Sequence, residues 1–154
     1  MQLSRRGLIG LALLAPIGLA ACGARDSEKS ALRHAGRTPA MDRLVARHAR
    51  ELQIPESLLH RVIQRESGYN PAARNGPYYG LMQIHPQTAR IMGYRGDPKG
   101  LLDAETNLRY AGKYLRGAWL VSDGSHDKAV GWYARGYYYE AKRRGLLRET
   151  GLKS

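Results

Sequence analysis

Apolar residues at three- and four-residue spacing are the feature that most constrains the fold of this chain. They recur in two clear stretches, one from Met41 to Leu52 and another from Leu108 to Ala118. This spacing places them on one face of an amphipathic helix. Sustained alternation of apolar and polar residues, which indicates a half-buried strand, is missing from the sequence. The pattern therefore predicts a mainly α domain.

Prolines, glycines and capping residues divide the chain into successive helices. The expected boundaries are Pro55, Gly68, Pro86, Asp103 and Ser125. Proline is compatible with the first turn of a helix, glycine with its end, and Asp or Ser with the N-cap position. Residues 69–77 are rich in turn formers, which predicts a loop or one short hairpin after the second helix.

The N-terminal residues have the character of an export signal. Ser4-Arg5-Arg6 is cationic, and residues 7–21 are uncharged and mostly apolar but too short and too broken by Gly and Pro to favour a membrane span. Small residues then precede the lone cysteine, Cys22, and this arrangement resembles the lipobox of bacterial lipoproteins. The resemblance implies cleavage before Cys22 and its acylation. A plain signal peptide with a chance cysteine is the alternative, and the route of export, general or twin-arginine, stays open.

These features predict a four-part organisation and a location. The parts are a lipoprotein signal peptide at 1–21, a lipid-anchored flexible tether at 22–39, a catalytic domain at 40–145 and a basic tail at 146–154. We expect the protein at the periplasmic face of the bacterial envelope, held to the membrane by its lipid. Gly23 stands where an Asp would favour retention at the inner membrane, so the outer membrane is expected.

Charge and metal-ligand content exclude several function classes. Lys and Arg total 25 against 13 Asp and Glu, a formal net charge of +12, which favours anionic partners. Nucleic acid is not expected, because the export signal places the domain outside the cytoplasm. One cysteine excludes an internal disulfide and a multi-cysteine metal site, and the five histidines lack metal-ligand spacing. We expect no metal, no cofactor and a monomer.

Glu66 is the strongest candidate for chemistry. It follows Leu59, Val62 and Ile63 at helical spacing, so its carboxyl continues an apolar stripe. Apolar surroundings and the negative end of a helix both disfavour the charged form, which suits a general acid near neutral pH. The alternative is a structural Glu at a fraying last turn, paired with Arg61 or Arg65.

Two linked motifs carry a family resemblance. Residues 66–71 read Glu-Ser-Gly-Tyr-Asn-Pro and residues 80–84 read Gly-Leu-Met-Gln-Ile. Together they resemble the catalytic domain of soluble-type lytic transglycosylases, relatives of goose-type lysozyme, and the similarity extends over residues 55–136. The resemblance implies a compact, helical, lysozyme-like fold. It also implies cleavage of peptidoglycan glycan strands by a single catalytic Glu, which aligns with Glu66.

The same resemblance implies roles for the neighbours of Glu66. Ser67 and Gln83 would hydrogen-bond the substrate or the reacting carboxyl, Met82 would pack beside a sugar at the cleft, and Gly80 would let backbone approach the ligand. The structural alternatives are that Ser67 is an ordinary polar residue at a helix end and that Met82 fills the core.

More distant residues also receive roles from the resemblance. Tyr133 would orient the catalytic carboxyl, and Asn107 would hold substrate or brace the cleft, unless it is a local hydrogen-bonder. The loop at residues 73–79 differs from the commoner Ser- and Ala-rich version of the family. Tyr78 and Tyr79 would stack on sugar rings or simply pack over the loop, and Arg74 would meet a peptide-stem or lactyl carboxylate.

A glycosidase with two carboxylates needs a second Asp or Glu facing the first. None lies between Ser67 and Gln87. This favours Glu66 acting as both acid and base, and in the family such cleavage of the MurNAc-GlcNAc β-1,4 bond leaves a 1,6-anhydro-MurNAc end. The alternatives are a lysozyme-type hydrolase and a peptidoglycan-binding relative without activity.

Overall fold

The computed structural model describes residues 36–153, and this part of the chain is mainly helical. In chain order the elements are α1 (Pro39–Leu52), α2 (Glu56–Ser67), β1 (Arg74–Asn75), β2 (Tyr78–Tyr79), α3 (Pro86–Ile91), the 3-10 helix η1 (Pro98–Leu102), α4 (Ala104–Leu120), α5 (His126–Arg135) and α6 (Tyr138–Arg143). The predicted mainly α class and the predicted short hairpin after the second helix are confirmed.

The first two helices follow the boundaries expected from the sequence, with one difference. Helix α1 begins at Pro39, two residues before Met41, because the Thr38 hydroxyl accepts a hydrogen bond from the Met41 backbone N–H and caps the helix. Helix α2 follows Pro55 and ends at Gly68, which adopts a left-handed conformation with φ 58°. That end of α2 carries Glu66.

Helix α4 is the centre of the domain. Its N-cap is Asp103, whose carboxylate accepts from the Thr106 backbone N–H, as expected from the sequence. Ser125 caps α5 in the same way by accepting from Lys128. Helix α4 packs against α1, α5, α3 and η1, so these four elements surround its apolar face. Leu108, Leu115 and neighbouring residues on that face are fully buried.

The hairpin is short, and its second strand packs against η1. Arg74 pairs with Tyr79 and Asn75 with Tyr78 in antiparallel register, and Gly76 takes a positive φ of 56° in the turn. A further bridge joins Tyr79 to Ile84 and carries the chain towards α3. The hairpin therefore leads directly into the Gly-Leu-Met-Gln-Ile segment.

The C-terminal residues that follow α6 pack on the domain as far as Leu152. Leu146, Leu147 and Leu152 contact the core cluster, and Thr150 is buried with its hydroxyl donating to the Leu146 carbonyl. The charged side chains between these leucines, Arg148 and Glu149, are exposed. The segment expected as a basic tail thus contributes apolar contacts to the folded unit.

The predicted signal peptide, the lipidation site Cys22 and most of the predicted tether lie outside the described residues. Within residues 36–153, no helix is both long enough and apolar enough to cross a membrane.

Candidate active site

Glu66 lies in the last turn of α2 with only part of its side chain exposed. The exposed fraction of that side chain is 23%, and the preceding apolar stripe of α2 is fully buried. Burial raises the pKa of Glu66 above its ordinary value, and the Arg65 guanidinium, 3.6 Å away from Nε to Oε1, lowers it in part. The environment therefore favours a protonated carboxyl at higher pH than an exposed Glu would allow.

The structural alternative for Glu66 required pairing with Arg61 or Arg65. Arg61 instead contacts Asp127 at 2.5 Å, and Arg65 is half exposed to solvent beside Glu66. An exposed ion pair of this kind contributes little stability. The pairing with Arg65 that the alternative expected is therefore present, but it is a solvent-exposed pair and leaves part of the Glu66 side chain open to solvent.

Tyr133 of α5 is buried close to Glu66. Burial raises the pKa of Tyr133 far above its ordinary value, and the charge of Glu66 raises it further. Its hydroxyl donates a hydrogen bond to the Met82 carbonyl at 2.7 Å. The phenolic proton is thus engaged by backbone, and any contact with Glu66 must use the phenolic oxygen as acceptor.

Ser67 ties the end of α2 to the segment that follows the hairpin. Its hydroxyl donates to the Leu81 carbonyl at 2.7 Å. The hydrogen bond expected from the family resemblance, to the substrate or to the reacting carboxyl, is not formed in this arrangement. Ser67 fixes the residue next to Glu66 against the 80–84 segment.

Gln83 also directs its amide donors to backbone. Its Nε2 donates to the carbonyls of Ala73 at 3.1 Å and Gly80 at 2.9 Å, and its backbone has a positive φ of 47°. A left-handed conformation is uncommon for a residue other than glycine, and it persists only where the surroundings impose it. Gln83 therefore holds the hairpin base closed rather than offering its amide hydrogens to substrate.

Asn107 is fully buried in α4 and makes three hydrogen bonds. Its Oδ1 accepts from the Met82 backbone N–H at 2.9 Å, and its Nδ2 donates to the carbonyls of Tyr79 and Leu101, each at 2.8 Å. One side chain thus satisfies three backbone groups, one each from β2, the 80–84 segment and η1. Of the two roles that the resemblance allowed, Asn107 has the bracing one.

Gly80 and Met82 both lie in closely packed surroundings. A Cβ at Gly80 would collide with the Asn107 side chain and the Leu101 carbonyl, and its φ is 75°, so the glycine is needed for packing. Met82 has no exposed surface. The side chain fills the core, which is the structural alternative, and its contact with a sugar stays a prediction.

The hairpin presents polar rings and a cation to solvent. Tyr78 is 45% exposed and makes an edge contact with the His85 ring, at 5.8 Å between centroids. Tyr79 is half-buried, and the Arg74 guanidinium lies 4.5 Å above the centre of its ring. Tyr78 has the exposed ring that stacking on a sugar requires, whereas one face of Tyr79 is taken by Arg74.

Other titratable residues are engaged away from Glu66. His48 is buried, with Nε2 3.1 Å from Glu105 Oε1, so it is a core residue with a hydrogen-bond partner. Asp103 caps α4 and Asp127 contacts Arg61. No carboxylate in residues 36–153 contributes to the pKa of Glu66, and that part of the chain holds no cluster of His, Cys, Asp and Glu suited to a metal ion.

Comparison with known proteins identifies the family. The family model described as "Transglycosylase SLT domain" matches residues 43–146, well over half of the chain. The chain belongs to the SLT transglycosylase family. Protein IpgF of Shigella flexneri is 31% identical over 121 residues, covering 73% of this chain and 76% of that protein. No solved structure matches significantly.

Members of the SLT family are lytic transglycosylases acting on peptidoglycan. The SLT domain of this chain joins its family motifs by long-range hydrogen bonds. Ser67, Asn107 and Tyr133 all bond to backbone groups of the 80–84 segment or the hairpin. The motifs thus form one frame around Glu66.

The sequence did not predict the backbone acceptors of these hydrogen bonds or the aromatic residue that packs against Tyr133. The carbonyls of Leu81 and Met82 receive the hydroxyls of Ser67 and Tyr133, and backbone groups carry no residue-specific signal. Tyr114 of α4 also packs edge-on against Tyr133, at 5.5 Å between ring centroids. The sequence signal for this contact was that Tyr114 directly precedes Leu115, which lies on the apolar stripe of α4.

Proposed function

We propose that this chain is a peptidoglycan lytic transglycosylase that cleaves the MurNAc-GlcNAc β-1,4 bond, with Glu66 as its single acid and base. One observation carries the proposal: the Glu66 side chain is only 23% exposed at the end of an apolar stripe, burial raises its pKa, and no carboxylate of residues 36–153 acts on it. The matched SLT domain supplies peptidoglycan as the substrate class.

The proposed reaction has two proton transfers by the same carboxyl. Protonated Glu66 gives its proton to the glycosidic oxygen, the C1–O bond breaks, and the acetamido oxygen of the same MurNAc stabilises the anomeric carbon. The Glu66 carboxylate then takes the proton of the C6 hydroxyl, whose oxygen bonds to C1. Glu66 is restored to its acid form, no water is consumed, and the product is a 1,6-anhydro-MurNAc end.

The frame around Glu66 supports this chemistry by limiting movement. The catalytic carboxyl must reach the glycosidic oxygen and then the C6 hydroxyl of MurNAc, so small displacements are costly. Ser67 fixes the chain next to Glu66. The Met82 backbone is held at both of its polar groups, because Tyr133 donates to its carbonyl and Asn107 accepts from its N–H. We assign Ser67, Asn107, Gln83 and Tyr133 as positioning residues of the proposed site.

Product analysis tests this proposal against its alternatives. The purified protein is incubated with cell-wall sacculi, and the masses of the soluble products are measured by mass spectrometry. We expect products one water mass lighter than their hydrolysed equivalents. Reducing ends as the main product would identify a lysozyme-type hydrolase, and glycan binding without any release would identify a non-catalytic relative.

The location of the enzyme is a separate part of the proposal. The cationic start, the apolar segment and Cys22 support a lipid-anchored protein at the periplasmic face, with Gly23 favouring the outer membrane. The net charge of +12 would also favour contact with anionic wall and lipid surfaces. We propose that the protein acts as a monomer.

A further inference from the structure

Arg74 is a cation on the exposed hairpin beside the proposed site. Its side chain is exposed, and no carboxylate of residues 36–153 forms an ion pair with it. Several other arginines of the domain differ in this respect, since Arg61, Arg143 and Arg144 each contact an Asp or a Glu. Arg74 therefore offers an un-neutralised guanidinium to an anion from solution.

Tyr79 holds this guanidinium in place. The two residues are directly opposite in the hairpin, and Arg74 Cζ lies 4.5 Å above the Tyr79 ring. The Tyr79 backbone is itself fixed, because its carbonyl accepts from Asn107 Nδ2 at 2.8 Å. Stacking occupies the face of the guanidinium and leaves its N–H edge available for two parallel hydrogen bonds to a carboxylate.

Two hydrogen bonds connect the hairpin base to the neighbour of Glu66. The Gly80 N–H donates to the Ala73 carbonyl at 2.8 Å, and the Ser67 hydroxyl donates to the Leu81 carbonyl at 2.7 Å. Ala73 precedes Arg74 in the chain, and Ser67 follows Glu66. The cation and the proposed acid are thus held by the same frame.

We propose that Arg74, positioned by Tyr79, is a subsite for a carboxylate of the muramyl part of the substrate. The inference rests on the function proposed above. A muramyl glycan offers such a group in two forms: a peptide stem ends in a carboxylate, and a stem-free muramyl residue carries a lactyl carboxylate. A stem spans up to about 3.5 Å per residue, so its terminal carboxylate can lie well away from the cleaved bond.

Binding measurements on three glycans test the subsite and separate the two forms. The purified protein is titrated with stem-bearing strands, with stem-free strands and with chitohexaose, which has neither carboxylate. We expect Arg74→Gln to weaken binding about 5- to 30-fold, the range of one charge-assisted contact at an accessible site, and to leave chitohexaose binding unchanged. Loss on stem-bearing strands alone identifies the stem, and loss on stem-free strands alone identifies the lactyl group.

Matched variants control for charge and for stacking. Arg43→Gln removes an equal charge from an exposed position on α1 and should bind all three glycans as the unmodified protein does. Arg74→Lys should recover part of the affinity. Tyr79→Phe keeps the ring and should bind normally, whereas Tyr79→Leu should show a smaller version of the Arg74→Gln defect.

The outcome is distinguishable from failure of the proposed function. Binding is read without turnover, so an inactive protein with Arg74-dependent carboxylate binding would keep the subsite and remove the enzyme proposal. Equal binding by Arg74→Gln and the unmodified protein, or an equal loss on chitohexaose, would overturn the subsite while leaving the transglycosylase proposal intact.

Discussion

Replacing Asn107 tests the frame that holds the proposed site. In Asn107→Ala, the Met82 N–H loses its acceptor, and the carbonyls of Tyr79 and Leu101 lose their donor. All three backbone groups belong to segments packed against the fully buried Asn107 side chain, so water does not readily replace the lost partner.

The structure gives the expected size of this effect. Leaving one buried polar group without a partner costs about 1–3 kcal/mol, and some relaxation around the smaller Ala side chain is expected. Three groups, partly relaxed, give a loss of about 3–5 kcal/mol in the free energy of unfolding. This is a large part of the roughly 5–15 kcal/mol available to a typical domain.

Denaturant unfolding followed by circular dichroism measures this loss, with Thr106→Ala as the neighbouring control. Thr106 is only partly buried and uses its backbone N–H, not its side chain, in the helix cap, so the control should change the free energy of unfolding by less than about 1 kcal/mol. A loss below about 1 kcal/mol in Asn107→Ala would refute the bracing role.

Three other changes give distinct results. Tyr133→Phe removes the hydroxyl from the Met82 carbonyl, so we expect a loss of about 1–2 kcal/mol in denaturant unfolding and a smaller fall in kcat than Glu66→Gln causes; unchanged stability would contradict this. Activity requires protonated Glu66, so kcat/KM should fall as pH rises through a pKa above the ordinary Glu value, and Arg65→Gln should move that limb to higher pH. A limb that stays in place or moves to lower pH would contradict the electrostatic role of Arg65. Cys22→Ala should abolish lipid on the mature N-terminus, read by mass spectrometry, and an unmodified Cys22 in the native protein would remove the anchor proposal.

The linkage between Glu66 and stability has the opposite direction to that of a salt-bridged acid. Its folded-state pKa is raised, so the unfolded chain releases this proton first as pH rises. As pH rises from the unfolded-state pKa of Glu66 to its folded-state pKa, this residue therefore lowers the free energy of unfolding progressively. Glu66→Gln should lessen this loss, which denaturant unfolding across the acid range can measure.

Local signals in the sequence were enough to predict the helices. Gly68, Asp103 and Ser125 act on their own neighbouring backbone, so their capping roles could be predicted without knowledge of the fold. The start of α1 was placed late because Thr38, a favourable N-cap, lay within the segment assigned to the tether. Helix boundaries thus followed from short-range hydrogen bonds.

The site depends on contacts that the sequence does not encode locally. Asn107 lies 25 residues from Met82, and Tyr133 lies 51 residues from it, yet both bond to its backbone. Sequence spacing placed Glu66 on an apolar stripe and the resemblance named its neighbours. Neither the spacing nor the resemblance showed that Ser67, Gln83 and Tyr133 would donate to backbone carbonyls, because only the folded chain brings those carbonyls near.

The central claim is that Glu66 is the only acid and base of a transglycosylase, and product masses from Glu66→Gln and the unmodified protein test it most directly. Glutamine keeps the size of the side chain but cannot transfer the proton, so release of products from sacculi should fall by at least about 100- to 10,000-fold. The unmodified protein should release 1,6-anhydro-MurNAc ends. Mostly reducing ends, or an unchanged rate in Glu66→Gln, would contradict the claim.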